Sequence, residues 1–291
     1  MLQGVLCVIL ASVLFGITPI GNKYVVMTGM AAECIVVWQL AVMILLSAAL
    51  AKRSGQKLKI PSKDTAVLLL VGIVGIGGTD YFLNMAYSEL QVSSVLMIHF
   101  LYPTFVLLVS ILLFGRTFSK LAGTAAVLCI AGLFLVTGLS GNITPLGAFY
   151  AAASGIVYGI YVLANDHGNT NRFHLAVKLF YTSIGGALIC GMLMLFGKSF
   201  SLPADASSAL VLFGLVGAAS FLAFYLLTAG VKRIGAATAA FLNMLELIVA
   251  VVGGVIIYKD SFSVKTAAGF VCILLSVLLI TLDEKTERPS A

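Results

Sequence analysis

Three side chains able to exchange protons stand inside otherwise apolar stretches: Asp80, His99 and Glu246. Without partners, such groups at membrane depth cost several kcal/mol, so each must meet another helix or an aqueous pocket. Glu246 falls near the middle of GAATAAFLNMLELIVAVVGGVIIY (235–258). It is either a proton or cation site or a carboxyl that only hydrogen-bonds a neighbouring helix. His99 could relay protons, since an imidazole titrates near neutrality; equally, it could bond a backbone carbonyl in a tight helix pair. Asp80 carries Asn84 and Tyr87 at i+4 and i+7, on one helical face. It faces either a binding site or interfacial water beyond the break that Gly75, Gly77 and Gly78 would make. Asp80, His99 and Glu246 form the expected proton-exchange set. Asn84, Tyr102, Asn243, Trp38 and Tyr158 join them as expected ligand contacts, with Trp38 alternatively an interfacial anchor. Neither a catalytic residue nor a metal site or cofactor is expected.

The composition says what positions them. Of 291 residues, 61% are hydrophobic and 10% charged, against about 25% charged in soluble domains. Ten apolar runs read as helices, at 2–25, 35–51, 66–87, 92–114, 121–139, 146–164, 175–196, 209–231, 236–257 and 264–282. The first lacks a basic leader and a cleavage-type ending, so it reads as a retained helix. Lys and Arg on alternate sides number thirteen and four, which places both termini in the cytoplasm of a multi-pass plasma (inner) membrane protein. The segment DEKTERPSA (283–291) reads as a solvated tail. Five scattered cysteines read as small buried hydrophobes, and the net charge of +6 lies in loops, with no basic patch for nucleic acid.

The second half repeats the first. Phe15-Gly16-Ile17 falls on Tyr158-Gly159-Ile160 at an offset of 143. At 144, His99 falls on Asn243, Tyr102 on Glu246 and Ser110 on Gly254. Asp80 falls on Phe224, so that acid breaks the symmetry. Five helices per copy, an odd number, invert the second copy, the plan of secondary transporters with a site near mid-membrane. The reading is therefore an all-α membrane protein, with ten transmembrane helices as two inverted five-helix repeats around a central cavity. Its divisions are a first repeat at 1–140, a second at 141–285 and a tail at 286–291.

The segments YFLNMAYSELQVSSVLMIHFLYPTFVLLVSILLFGRTFS and YLLTAGVKRIGAATAAFLNMLELIVAVVGGVIIYKDSFS resemble the EamA family of the drug/metabolite transporter superfamily, across nearly the whole chain. The resemblance implies two inverted halves, a central cavity and export of amino acids, other metabolites or drugs. Pro103 keeps the family's proline in the fourth helix. Leu247 replaces the proline beside Glu246, and Arg116 replaces the usual acid after the fourth helix; only Asp260 stands near the ninth-helix counterpart.

No Lys or Arg lies near mid-span, which disfavours phosphates and nucleotide-sugars as cargo. A small zwitterionic or cationic solute fits better, exported by alternating access as one five-helix half rocks against the other. Cationic drugs or lipids are the alternatives. Expected partners are that solute and membrane lipid, with a homodimer left open. GGTD at 77–80 misses the GxGD spacing of membrane proteases, so an enzyme is not expected.

Overall fold

The computed structural model describes residues 1–137, 143–197, 200–259 and 262–287, apart from the side chains of 92, 93 and 285–287. Asn142, Lys198, Asp260 and Arg288 lie outside the described residues. Among these, nine helices are long and apolar enough to cross a membrane: α1 (Leu2–Met27), α2 (Ala32–Arg53), α3 (Ser62–Glu89), α4 (Ser94–Phe114), α6 (Pro145–His167), α7 (Leu175–Phe196), α8 (Ala206–Ile234), α9 (Ala236–Tyr258) and α10 (Val264–Glu284). Between α4 and α6 lies α5 (Lys120–Val136), shorter at 17 residues and about 26 Å long. With an even number of crossings, both termini are on one face, called here the terminus side.

The helices start where their capping residues dictate. Ser119 accepts from the Ala122 N–H at the head of α5, and Thr144 accepts from the Gly147 N–H at the head of α6. Asp205 and Ser208 make a reciprocal capping box before α8, and the N–H donors it receives hold the Asp205 carboxyl below its ordinary pKa.

The two halves do not stand apart as separate bundles. α1 packs against α8 and α9, as α6 packs against α3 and α4; α2 pairs with α7, α4 with α9 and α5 with α10. Exchanging the halves maps this pattern onto itself, the contact signature of an inverted repeat. A rocking of residues 1–140 as one body would cut across the strongest helix pairs. Small residues make such pairs close, because hydrocarbon offers no hydrophobic drive and association rests on van der Waals fit. In the α5–α10 pair, a Cβ on Gly132 would stand 2.8 Å from the Gly269 carbonyl oxygen, and one on Gly269 2.7 Å from that of Gly132. The Ser276 hydroxyl donates to the Ala125 carbonyl across the same seam at 2.8 Å.

Four helices are irregular at matching places. Gly72–Gly77 in α3 and Val211–Ala218 in α8 are π-helical, each in the repeated VGIVG or FGLVG segment. α4 breaks at Phe100–Leu101 and α9 at Met244. Such departures mid-helix have identifiable causes and are frequent at functional sites. In α4 the cause is Pro103, which has no N–H to give the His99 carbonyl four residues back.

Candidate functional site: a cavity between the two broken helices

The freed His99 carbonyl turns toward α6, where a Cβ on Gly155 would come within 2.6 Å of it. Just past the α9 break, a Cβ on Gly16 of α1 would come within 2.7 Å of the Glu246 carbonyl oxygen. Each break is thus held against a small residue of the other copy's first helix. α9 breaks without a proline: the Leu247 N–H donates to the Met244 carbonyl at 3.1 Å, a tighter turn beside the side-chain bonds of Asn243.

The breaks flank a cavity of ≈ 200 Å³. Asp80, His99, Tyr158 and Glu246 line it, with Phe15, Asn22, Gln39, Phe100, Ser220 and Phe224 among the rest. Both members of the repeat pair Phe15 and Tyr158 face it. So do both members of the pair Asp80 and Phe224, which puts a carboxylate on one wall and a ring on the other. Among the described residues its lining contains two acids and no Lys or Arg. Asn22 Oδ1 and Ser220 Oγ, both buried in this lining, have no hydrogen-bond partner among the described residues. A buried polar atom left unmatched costs about 1–3 kcal/mol, which a polar occupant of the cavity would offset.

His99 Nδ1 lies 2.9 Å from Ser154 Oγ. The Ser154 hydroxyl itself donates to the Ala151 carbonyl at 2.6 Å, so Nδ1–H is the donor to Ser154 and Nε2 is the nitrogen at which a proton would be exchanged. The backbone bond that sequence offered as the alternative for this ring is replaced by a serine.

Tyr102 and Asn243 lie off the cavity, 2% and 1% exposed, as a layer toward the terminus side. The Asn243 amide donates to Glu246 Oε2 at 2.9 Å and to the Tyr102 oxygen at 3.3 Å, and its oxygen accepts from Ser12 at 3.2 Å. The Tyr102 hydroxyl donates to the Ala240 carbonyl at 3.4 Å. These two residues therefore form the cavity's floor and orient Glu246, rather than lining the space themselves. Asn84 shares with Asp80 and Glu33 a small side pocket of ≈ 10 Å³. Trp38 stands apart from the cavity as well: its indole N–H donates to the Ser201 carbonyl at 3.2 Å, and its ring packs with Phe200 and Phe213.

Asn22, Gln39, Phe15, Ser220 and Phe224 were not foreseen as lining. Phe15, Thr18, Pro19 and Asn22 recur at three, four and seven residues, one face of α1, and that spacing was available in the sequence. For the tail, the structure corrects the expectation. Asp283 and Glu284 are 1% and 2% exposed and bind Arg116 at 2.8 and 3.0 Å. The acids face inward because the end of α10 packs under the end of α4, where Arg116 supplies the countercharge.

The sequence model of the EamA-like transporter family matches residues 2–138 and again residues 145–282. The chain belongs to this family. Curated relatives of this EamA-like chain include a probable transport protein of Saccharomyces cerevisiae, 25% identical over 73% of this chain and 66% of its own length. That is just under two thirds of the yeast protein. An uncharacterized transporter of Archaeoglobus fulgidus is 25% identical over 75% of this chain and 77% of its own. The uncharacterized inner membrane transporter YicL of Salmonella typhimurium is 24% identical over 99% and 98%. A solved crystal structure of a protein 17% identical superposes with a TM-score of 0.81, covering 97% of this chain and 98% of that one, which shows a shared fold. Family and relatives alike point to a membrane transporter and away from an enzyme.

Proposed function

We propose that this EamA-family chain exports a small zwitterionic or cationic metabolite, an amino acid or a related amine, across the plasma membrane by alternating access. The observation that carries the reading is the cavity lining: Asp80 and Glu246 with the unmatched oxygens of Asn22 and Ser220, and no Lys or Arg among the described lining residues. An ammonium group is the complement of that set, since it donates only and carries the opposite charge. The excess of Lys and Arg on the terminus side, thirteen against four, supports cytoplasmic termini, and the Salmonella relative's name supports an inner-membrane location.

Proton exchange at Glu246, relayed through His99, is the coupling proposed. Protonation would loosen the Asn243–Glu246 bond that ties the carboxylate to the floor. The test is flux in reconstituted vesicles, with amino acids, polyamines and cationic drugs offered in turn. Glu246→Gln should carry solute with no pH dependence. Retention of the parent's pH profile in that variant would remove proton coupling and leave facilitated diffusion.

The aromatic walls from Phe15, Phe100, Tyr158 and Phe224 favour a cationic aromatic drug as the second reading, through cation–π contact. In the same vesicles, flux of such compounds without flux of amino acids would select it. A lipid flippase needs a side opening into the cavity. The apolar groove between α4 and α6, lined by Val109, Leu113, Ile160 and Leu163, lies toward the terminus-side ends of those helices instead.

A further inference from the structure

A second polar pocket of ≈ 190 Å³ opens at the terminus-side ends of α4, α6, α9 and α10, lined by Ser110, Arg116, Asp166, His167, Ala236 and Glu284 among others. One face of α4 links it to the central cavity. His99 on that face lines the cavity, Tyr102 is in the floor, Val106 is fully buried, and Ser110 lines the second pocket. The spacing of three, four and four keeps all four on one side of the helix. On α9 the order is reversed: Ala236 and Ala237 line the second pocket, Asn243 is in the floor and Glu246 lines the cavity. The two chambers are therefore in line, separated by the Ser12–Asn243–Tyr102 layer.

Beyond that layer the terminus side is tied a second time. The Arg116 guanidinium donates to Asp283 Oδ2 and Glu284 Oε2 at 2.8 and 3.0 Å. Thr238 of α9 donates to the same Glu284 oxygen at 2.7 Å, and Ser119, heading α5, donates to Asp283. At the start of α9 the Ala236 N–H donates to Asp166 Oδ2 of α6 at 2.7 Å. Four helix ends thus meet at one guanidinium and two carboxylates. By the offset of 144, the counterparts of Arg116, Asp283 and Glu284 in the sequence are Asp260, Leu139 and Ser140, a set with no cation. The sequence does not repeat this set of a cation and two acids at the other end.

We propose that Arg116, with Asp283 and Glu284, is the latch that keeps the terminus-side mouth of the solute path closed while the central cavity is formed, and that passage of solute requires these ion pairs to break. The inference rests on the reading that the central cavity is part of the solute path. Arg116 acts here as a positioning residue: it touches no solute and sets which end of the path is shut. A planar fork reaching two acids at once suits the role, because it has one closed geometry and loses both bonds when α4 moves.

Accessibility in the full chain tests this without any solute. In a background where the five native cysteines are replaced, Ser110→Cys reports the terminus-side pocket and Asn22→Cys the central cavity, each read by its rate of modification by a small charged methanethiosulfonate. Arg116→Gln should raise the rate at position 110 by about tenfold or more and lower it at position 22, because a shift between two states opens one end as it closes the other. The charge swap Arg116→Glu with Glu284→Arg should return both rates toward the parent's. Should Arg116→Gln alone not yield folded protein, the neutral triple Arg116→Gln, Asp283→Asn, Glu284→Gln removes all three charges together and should show the same opposed changes. Unchanged rates at 110, or rates that rise together at both positions as in a bundle merely loosened, would overturn the latch. If Asn22→Cys is unreactive even with Arg116 in place, the cavity reading beneath the proposal fails instead.

Discussion

A single missing hydrogen organises the centre of this protein. Pro103 cannot donate to the His99 carbonyl, the helix opens there, and Gly155 leaves room for the carbonyl that results. Replacing Pro103 with Ala should restore the helical bond, leaving the melting temperature unchanged or higher while flux in vesicles falls; equal flux would show that the break serves packing alone. Gly16, beside the α9 break, is as tightly placed: a Cβ there would stand 2.5 Å from Val249 Cβ and 2.7 Å from the Glu246 carbonyl oxygen. Gly16→Ala should cost about 1–3 kcal/mol by overpacking against Val249 and the Glu246 carbonyl, read as a lower melting temperature, whereas the half-buried Gly191, with nothing near its Cβ position, should accept Ala without such loss. Sequence identified Asp80, His99 and Glu246 because an ionisable group in an apolar run is conspicuous on its own. It did not separate lining from floor, because Tyr102 and Glu246 are repeat partners on equivalent faces and only the hydrogen bonds of Asn243 put one beneath the other.

At the scale of the helix, length and apolar character were enough to place the ten elements. The π-helical turns in α3 and α8 were not legible: VGIVG and FGLVG look like ordinary small-residue segments, and a turn of extra width is set by what packs on it. The ends of α4 and α10 were misread for a related reason. Arg116 counted as one more loop cation and Asp283-Glu284 as the start of a solvated tail, since sequence alone cannot tell that two helix ends 167 residues apart meet. Charge near a helix end defaults to solvent unless its countercharge is known. Thr238→Val, which deletes the α9 tie to that network, should raise modification at Ser110→Cys by less than Arg116→Gln does, because one hydroxyl–carboxylate hydrogen bond is lost and both ion pairs remain.

For the molecule as a whole, the pairs α1–α8, α2–α7 and α5–α10 mean that neither half contains its own partners. Expressed alone, residues 1–140 should insert but fail to give a stable, protease-resistant bundle, and co-expression with 141–291 should recover it; a resistant first half by itself would contradict the packing described. The same interleaving has a consequence for biogenesis. Helices leaving the ribosome first must wait in the bilayer, their glycine-lined seams facing lipid, until the tenth has been made. For most of its synthesis the nascent chain is thus a target for membrane quality control, and a late stop codon would waste the entire product instead of leaving a working half.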